Sequence, residues 1–223
     1  MKHIVVDLEM NHLARIFKEE RLICSMEVIE IGAVVLDEAY SEIGSFKTFV
    51  KPQYNDEINK TCARVTGITT DMVANAPVFE DALHMFLSWA HSMDDEIQFY
   101  QWSENDYAQI MNEICLKDIQ LNEADRMLLS DWSDFQKEYG EKLSLHRAVS
   151  LKNAVMYAGM DFEGQEHDAL WDARNTASLL RIIRDPKLCK ETLDHVIKIL
   201  TPEPLCASLG DLFNFNELFE VTA

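Results

Sequence analysis

Between Val28 and Leu36 every residue is apolar except Glu30 and Gly32, and this run constrains the fold more than any other part of the chain. Its length and lack of alternation are those of a buried strand, which needs a layer packed on each face. Ile4-Val5-Val6-Asp7-Leu8-Glu9 also reads as a strand, β-branched and close to the first residue of the sequence. Gly44 to Val50 reads as another, closed by Pro52, and the short links between these strands predict an antiparallel meander.

Helices come next. After a loop carrying Thr66-Gly67-Ile68-Thr69, Pro77 introduces Phe79, Ala82, Leu83, Phe86, Leu87 and Ala90, which share one face of an amphipathic helix. Glu96 to Trp102 reads as a further strand, and the helix after it carries Ile110, Met111, Ile114 and Cys115 on its apolar side. More helices are expected around Trp132 to Tyr139 and Arg147 to Tyr157, then one with Leu170, Ala173, Ala177, Leu180 and Ile183 facing inward. Strands first, then helices with one more strand, predict an α/β fold: a mixed sheet flanked by helices. Residues 185–223 differ in character, with Pro186, Pro202 and Pro204 and an acidic end holding Phe213, Phe215 and Phe219. They are expected to form a C-terminal appendage docked on the domain of residues 1–184, with a protein-binding tail as the alternative.

Composition narrows the function classes. With 223 residues, 48% of them hydrophobic, the chain can bury a core as one domain, and seven glycines and five prolines argue against a loop-rich architecture. The apolar stretch Ile4 to Val6 is too short for a signal segment or a membrane span. Cys24, Cys62, Cys115, Cys189 and Cys206 are odd in number and never spaced C-x-x-C. Neither a disulfide framework nor a structural zinc site is therefore expected, and a reducing, cytoplasmic setting fits. Thirty-nine acidic residues against twenty basic give a formal charge of −19, the reverse of the footprint of a backbone-binding protein. Any nucleic acid must be gripped locally, over a short end.

Three segments carry candidate chemistry. Asp7 and Glu9 lie two apart on a strand, so both point to one face with α-carbons about 6.6 Å apart. They are either charges on a solvated edge or, on a central strand, buried anions that repel unless neutralised. Asp106 follows Trp102-Ser103-Glu104-Asn105 where a strand gives way to a helix, a common place for ligands. Ser103 with Asp106 is also nearly a capping box, and Glu104 is the rival acid. Asp168 suits a helix N-cap, which leaves His167 on the preceding loop and Asp172 one turn inside. Taken singly, His167 and Asp172 also suit a surface histidine and an exposed first-turn acid.

Together, the acidic pair on the first strand, the acid after a later strand and His-x4-Asp at a late helix resemble the DEDDh family of 3′→5′ exonucleases. That family includes ribonuclease T and the proofreading exonucleases of replicative polymerases. The resemblance runs over roughly residues 2–184 and includes spacers: Val28-Ile29-Glu30-Ile31-Gly32-Ala33-Val34, Thr66-Gly67-Ile68-Thr69, Ala76-Pro77 and Phe79. Leu143-Ser144-Leu145 and Tyr157-Ala158-Gly159 are similar to the branch of the 3′-histone-mRNA exonuclease and KapD. The resemblance implies a ribonuclease-H-like fold, Asp7, Glu9, Asp106 and Asp172 as metal ligands, and His167 as general base, with Glu9 counted beside it among the catalytic groups. It also implies 3′→5′ polarity, which no spacing reveals. After Glu9 the sequence departs from the family pattern with Met10-Asn11-His12-Leu13. Met10, Trp102 and Tyr107 are the candidates for stacking on a terminal nucleotide.

The implied chemistry suits these residue types. Two Mg²⁺ or Mn²⁺ ions would serve the attacking and leaving oxygens of a phosphodiester, and hard cations select carboxylate oxygen. A neutral imidazole suits proton removal near neutrality. The expected substrate is a single-stranded RNA or DNA 3′ end, released as nucleoside 5′-monophosphates. A catalytically inactive binding module of the same fold is the rival from another class. A carboxylate-pair glycosidase is the rival enzyme, and it leaves Asp106 and His167 without a purpose.

Overall fold

The computed structural model describes residues 1–145 and 147–200. In chain order it holds β1 (Lys2–His12), the single turn α1 (Glu20–Ile23), β2 (Met26–Leu36) and β3 (Glu42–Phe49). Then come α2 (Lys60–Thr66), α3 (Thr70–Val73), α4 (Phe79–His91), β4 (Ile97–Gln101), α5 (Asn105–Leu116) and α6 (Glu123–Leu128). β5 (Trp132–Asp134), α7 (Phe135–Lys142), α8 (Leu151–Tyr157), α9 (Ala169–Arg184) and α10 (Pro186–Leu200) complete the described chain.

The five strands form one sheet in the order β3-β2-β1-β4-β5. β1, β2 and β3 are the expected antiparallel meander, while β4 pairs parallel to β1 and β5 parallel to β4. The sheet is therefore mixed, as expected, and β1 is its central strand. Along β1 the residues alternate. Ile4, Val6 and Leu8 enter a core shared with Phe79, Ala82, Leu83, Phe86, Leu87 and Ala90 of α4 and with Ile110 of α5. Val5 enters a second core with Val34 of β2 and Ala173, Ala177 and Leu180 of α9. Burying each large apolar side chain contributes roughly 1.5–3 kcal/mol, so both faces of β1 are held firmly. Because Asp7 and Glu9 share parity with Val5, they project toward α9.

Gly32 explains how α9 reaches that face. A Cβ there would stand 2.2 Å from the carbonyl carbon of Ala169 and 2.3 Å from the nitrogen of Leu170, so only glycine lets the helix start rest on β2. Asp168 caps α9 as expected, accepting from the N–H groups of Leu170 and Trp171 at 3.2 Å each.

Several expected details differ. The segment around Thr66-Gly67 is two short helices, α2 and α3, with Asn59 capping α2 through the Cys62 N–H. Trp132–Asp134 is a strand, and the helix begins only at Phe135. The helix expected from Arg147 starts at Leu151, capped by Ser150. On α5, Met111 and Cys115 face solvent while Gln109 and Glu113 are buried with Ile110 and Ile114. Glu113 accepts from the Val28 N–H, from Gln109 and from Lys117, so its burial is hydrogen-bonded and charge-compensated. Leu170 is only half-buried on α9. α10 begins with Pro186 at its first position, and its His195 Nδ1 donates to the Tyr157 carbonyl at 2.9 Å. Phe213, Phe215 and Phe219 lie outside the described residues. Among the described residues, no helix is long and apolar enough to cross a membrane.

Candidate active site

The parallel ladder between β1 and β4 ends at Val6 beside Gln101. Beyond that point the β4 side of β1 is open, and the first turn of α5 crosses it. Asp106 takes the hydrogen bond that β4 no longer supplies, accepting from the Leu8 N–H at 3.1 Å. Asp106 is 6% exposed, whereas the rival acid Glu104 is exposed and makes no cap. On the other side of β1, Asp7 lies opposite Gly32 and Glu9 opposite Glu30. α9 then brings Asp172 and the loop residue His167 over the same face. The His167 N–H donates to Asp172 Oδ2 at 3.2 Å, and His167 Nδ1 lies 3.9 Å from Glu9 Oε1. Ligand atoms of Glu9, His167 and Asp172 all fall within 4.8 Å of one another.

The electrostatics follow from crowding anions in a dry place. Burial, then the carboxylates of Asp106, Asp172 and Glu9, hold Asp7 well above the usual carboxylate range. Burial followed by Asp172 and Glu30 pushes Glu9 up to about 8. Burial raises Asp106 to about 7, with Asp172 adding to it. Burial, with Asp168, Glu166 and Glu30, raises Asp172 to about 7. Asp172 Oδ1 is buried without a hydrogen-bond partner. An unpartnered carboxylate oxygen facing other carboxylates fits a divalent cation, which would supply the missing partner and offset the repulsion.

This crowding sets the sign of a pH effect. Carboxylates titrate near 3.8 for Asp and 4.5 for Glu when unperturbed, and higher here, so the folded state binds more protons between those limits. Metal-free stability should thus fall as pH rises from about 4 to about 8. Melting curves in chelator are expected to shift down across this window, and Mg²⁺ or Mn²⁺ at the alkaline end to shift them back up by several degrees. A melting temperature independent of both pH and cation would mean that the carboxylates do not repel.

The nucleotide-stacking candidates fare differently. Trp102 is 8% exposed, its ring packs against Phe135 and Tyr139, and its Nε1 donates to the Val149 carbonyl at 3.2 Å. It is a core residue, and the expectation that it stacks on substrate is corrected. Met10 is half-buried and leans on the first core, just past a register shift in the β1–β2 ladder after Glu9. Tyr107 is half-buried, its ring 5.7 Å from that of Trp132. Asn11, part of the unusual sequence after Glu9, is fully buried and anchors the α2 start by accepting from Asn59.

Glu30 is the residue that the motif reading passed over. It is 1% exposed, accepts from the Ala169 N–H at 2.9 Å and pairs with Lys47 at 3.1 Å. A lone acid inside a continuous apolar run was the available signal.

The family model described as Exonuclease, of the ribonuclease T type, matches residues 4–180. The mouse (Mus musculus) protein named ERI1 exoribonuclease 2 is 28% identical over 230 residues, covering 93% of this chain and 32% of its own length. A rat (Rattus norvegicus) protein named 3′-5′ exoribonuclease 1 is 27% identical over 163 residues, covering 71% of this chain and 47% of its own. The chain therefore spans about a third to a half of the length of these relatives. Among solved structures, the nuclease domain of 3′hExo, a DEDDh family member bound to rAMP, superposes with a TM-score of 0.69 at 21% identity over 82% of this chain and 90% of that one. A 3′-exonuclease solved for its 3′-end-specific recognition of a histone mRNA stem-loop gives 0.71 at 20% identity, over 82% of this chain and 80% of that one. At these identities the likeness is one of fold, the ribonuclease-H-like mixed sheet.

Proposed function

Because the chain belongs to the ribonuclease T type of exonuclease family, we propose that it hydrolyses single-stranded RNA, and less readily DNA, from the 3′ end and releases nucleoside 5′-monophosphates. The observation that carries this reading is the convergence of Asp7, Glu9, Asp106 and Asp172 on one face of β1, with His167 beside Glu9. Residues 1–184 form the exonuclease domain in this reading, and the setting is a reducing, cytoplasmic one.

The proposed ligands of two Mg²⁺ or Mn²⁺ ions are Asp7, Glu9, Asp106 and Asp172. When bound, the ions would stabilise charge at the attacking and leaving oxygens. The protein's own groups do the rest. Asp106, tied to the Leu8 N–H, keeps one carboxylate oxygen fixed against the strand. Asp172 accepts from the His167 N–H and so holds the loop that carries the imidazole. His167 stands half in solvent, where a water reaches it, and removes a proton from that water. Met10 and Tyr107 remain the proposed contacts to the terminal nucleotide. The charge of −19 limits the grip to a short end, because a basic track along a longer strand is lacking in composition.

End-labelled RNA and DNA oligonucleotides, with products followed in time, test the reading. Stepwise shortening from the 3′ end, loss of activity with EDTA and inert circular single strands are expected. Cutting of a circle would point to an endonuclease. Binding without turnover would point to the inactive module.

A further inference from the structure

Non-glycine residues avoid the left-handed region of backbone space, and His167 sits in it with φ of 63°. Such a conformation persists only when neighbouring contacts over-determine it. The contacts lie immediately downstream, at the start of α9. Glu30 reaches across from β2, and its Oε2 accepts from the Ala169 N–H at 2.9 Å. Lys47, from β3, joins Glu30 Oε1 at 3.1 Å to Asp168 Oδ2 at 2.6 Å. Gly32 lets Ala169 and Leu170 touch β2 directly. Two neighbouring strands, β2 and β3, thus converge on the residues that follow His167.

Burial weighs against a casual ion pair. Glu30 is essentially inaccessible, and isolating such a carboxylate from water is unfavourable unless its partners are well placed. An apolar residue would continue the run of β2 and fill the same space. What only a carboxylate supplies here is one oxygen for a backbone N–H and another for a lysine that reaches Asp168. Resting on the proposed nuclease activity, we propose that Glu30 and Lys47 are positioning residues. They pin Asp168 and Ala169 so that the His167 loop is held in its strained form, with the imidazole beside Glu9.

The variants Lys47→Met and Lys47→Arg, with Asp168→Asn as a milder break that keeps the helix cap, test this in the full chain. Partners that orient catalytic groups typically contribute 10–100-fold, so Lys47→Met is expected to lower kcat by roughly that factor with KM nearly unchanged. Lys47→Arg should recover most of the rate, and Asp168→Asn should move kcat the same way by less. Amide hydrogen exchange at His167 and Ala169 gives a readout free of catalysis. Both amides are expected to exchange faster in Lys47→Met and Asp168→Asn, while amides in the middle of α9 keep wild-type protection. Wild-type kcat together with wild-type exchange would overturn the proposal, as would a uniform rise in exchange across α9, the mark of plain destabilisation. If the wild-type protein itself hydrolyses no 3′ end, the proposed activity falls, and exchange at His167 and Ala169 still decides whether the clamp exists.

Discussion

Alanine at Asp7, Glu9, Asp106 or Asp172 is expected to cut 3′-end hydrolysis by roughly 10³-fold or more, the scale of losing a group that stabilises transition-state charge. The metal-free fold should survive each change. Burial raises the proton affinity of all four acids and neighbouring carboxylates add to it, so removing one relieves desolvation and repulsion in the apo protein. Asp7 should show this most clearly, since the other three acids all bear on it. Asp106 is the exception to watch. Its alanine variant strands the buried Leu8 N–H, a penalty of about 1–3 kcal/mol, whereas Asp106→Asn keeps an acceptor there. Asp106→Asn should therefore be as dead as Asp106→Ala but more stable. Melting curves in chelator and turnover in Mn²⁺ read the two effects separately. Glu104→Ala is the control, since that side chain is exposed and should leave turnover intact. Full activity in Asp106→Asn with loss in Glu104→Ala would reverse the assignment.

His167→Ala is expected to lower kcat by about 10²–10⁴-fold, as for loss of a positioned base, with cation affinity kept close to wild type. The side chain is half-exposed, so its removal disturbs little packing, and a rate loss of this size would be chemical. Alanine keeps the unfavourable left-handed backbone, while glycine accepts it freely, so His167→Gly should be at least as stable as His167→Ala and equally inactive. Full rate in His167→Ala would remove this residue from the mechanism.

Much of the fold was legible because the signals are local. Alternation on β1 shows that Asp7 and Glu9 share a face, the apolar positions of α4 recur at helical spacing, and Asp168 announces the start of α9 by capping chemistry within three residues. What escaped depends on partners remote in sequence. The burial of Glu113 rests on the Val28 N–H, 85 residues away, so apolar periodicity found Ile110 and Ile114 on α5 but placed Met111 and Cys115 inward in place of Gln109 and Glu113. Trp102 sits where a stacking ring would be useful, yet Phe135 and Tyr139 claim it for the core. Glu30 reads only as an interruption of an apolar run until β3 and the start of α9, 121 residues apart at Lys47 and Asp168, are brought together. By itself the sequence determined the β1–β2–β3 meander, the amphipathic α4 and the Asp168 cap of α9, since spacing and capping act within a few residues. Only the tertiary structure decided the burial of Asp106 beside an exposed Glu104, the burial of Trp102 and the left-handed setting of His167, because desolvation and charge pairing exist only once distant segments meet.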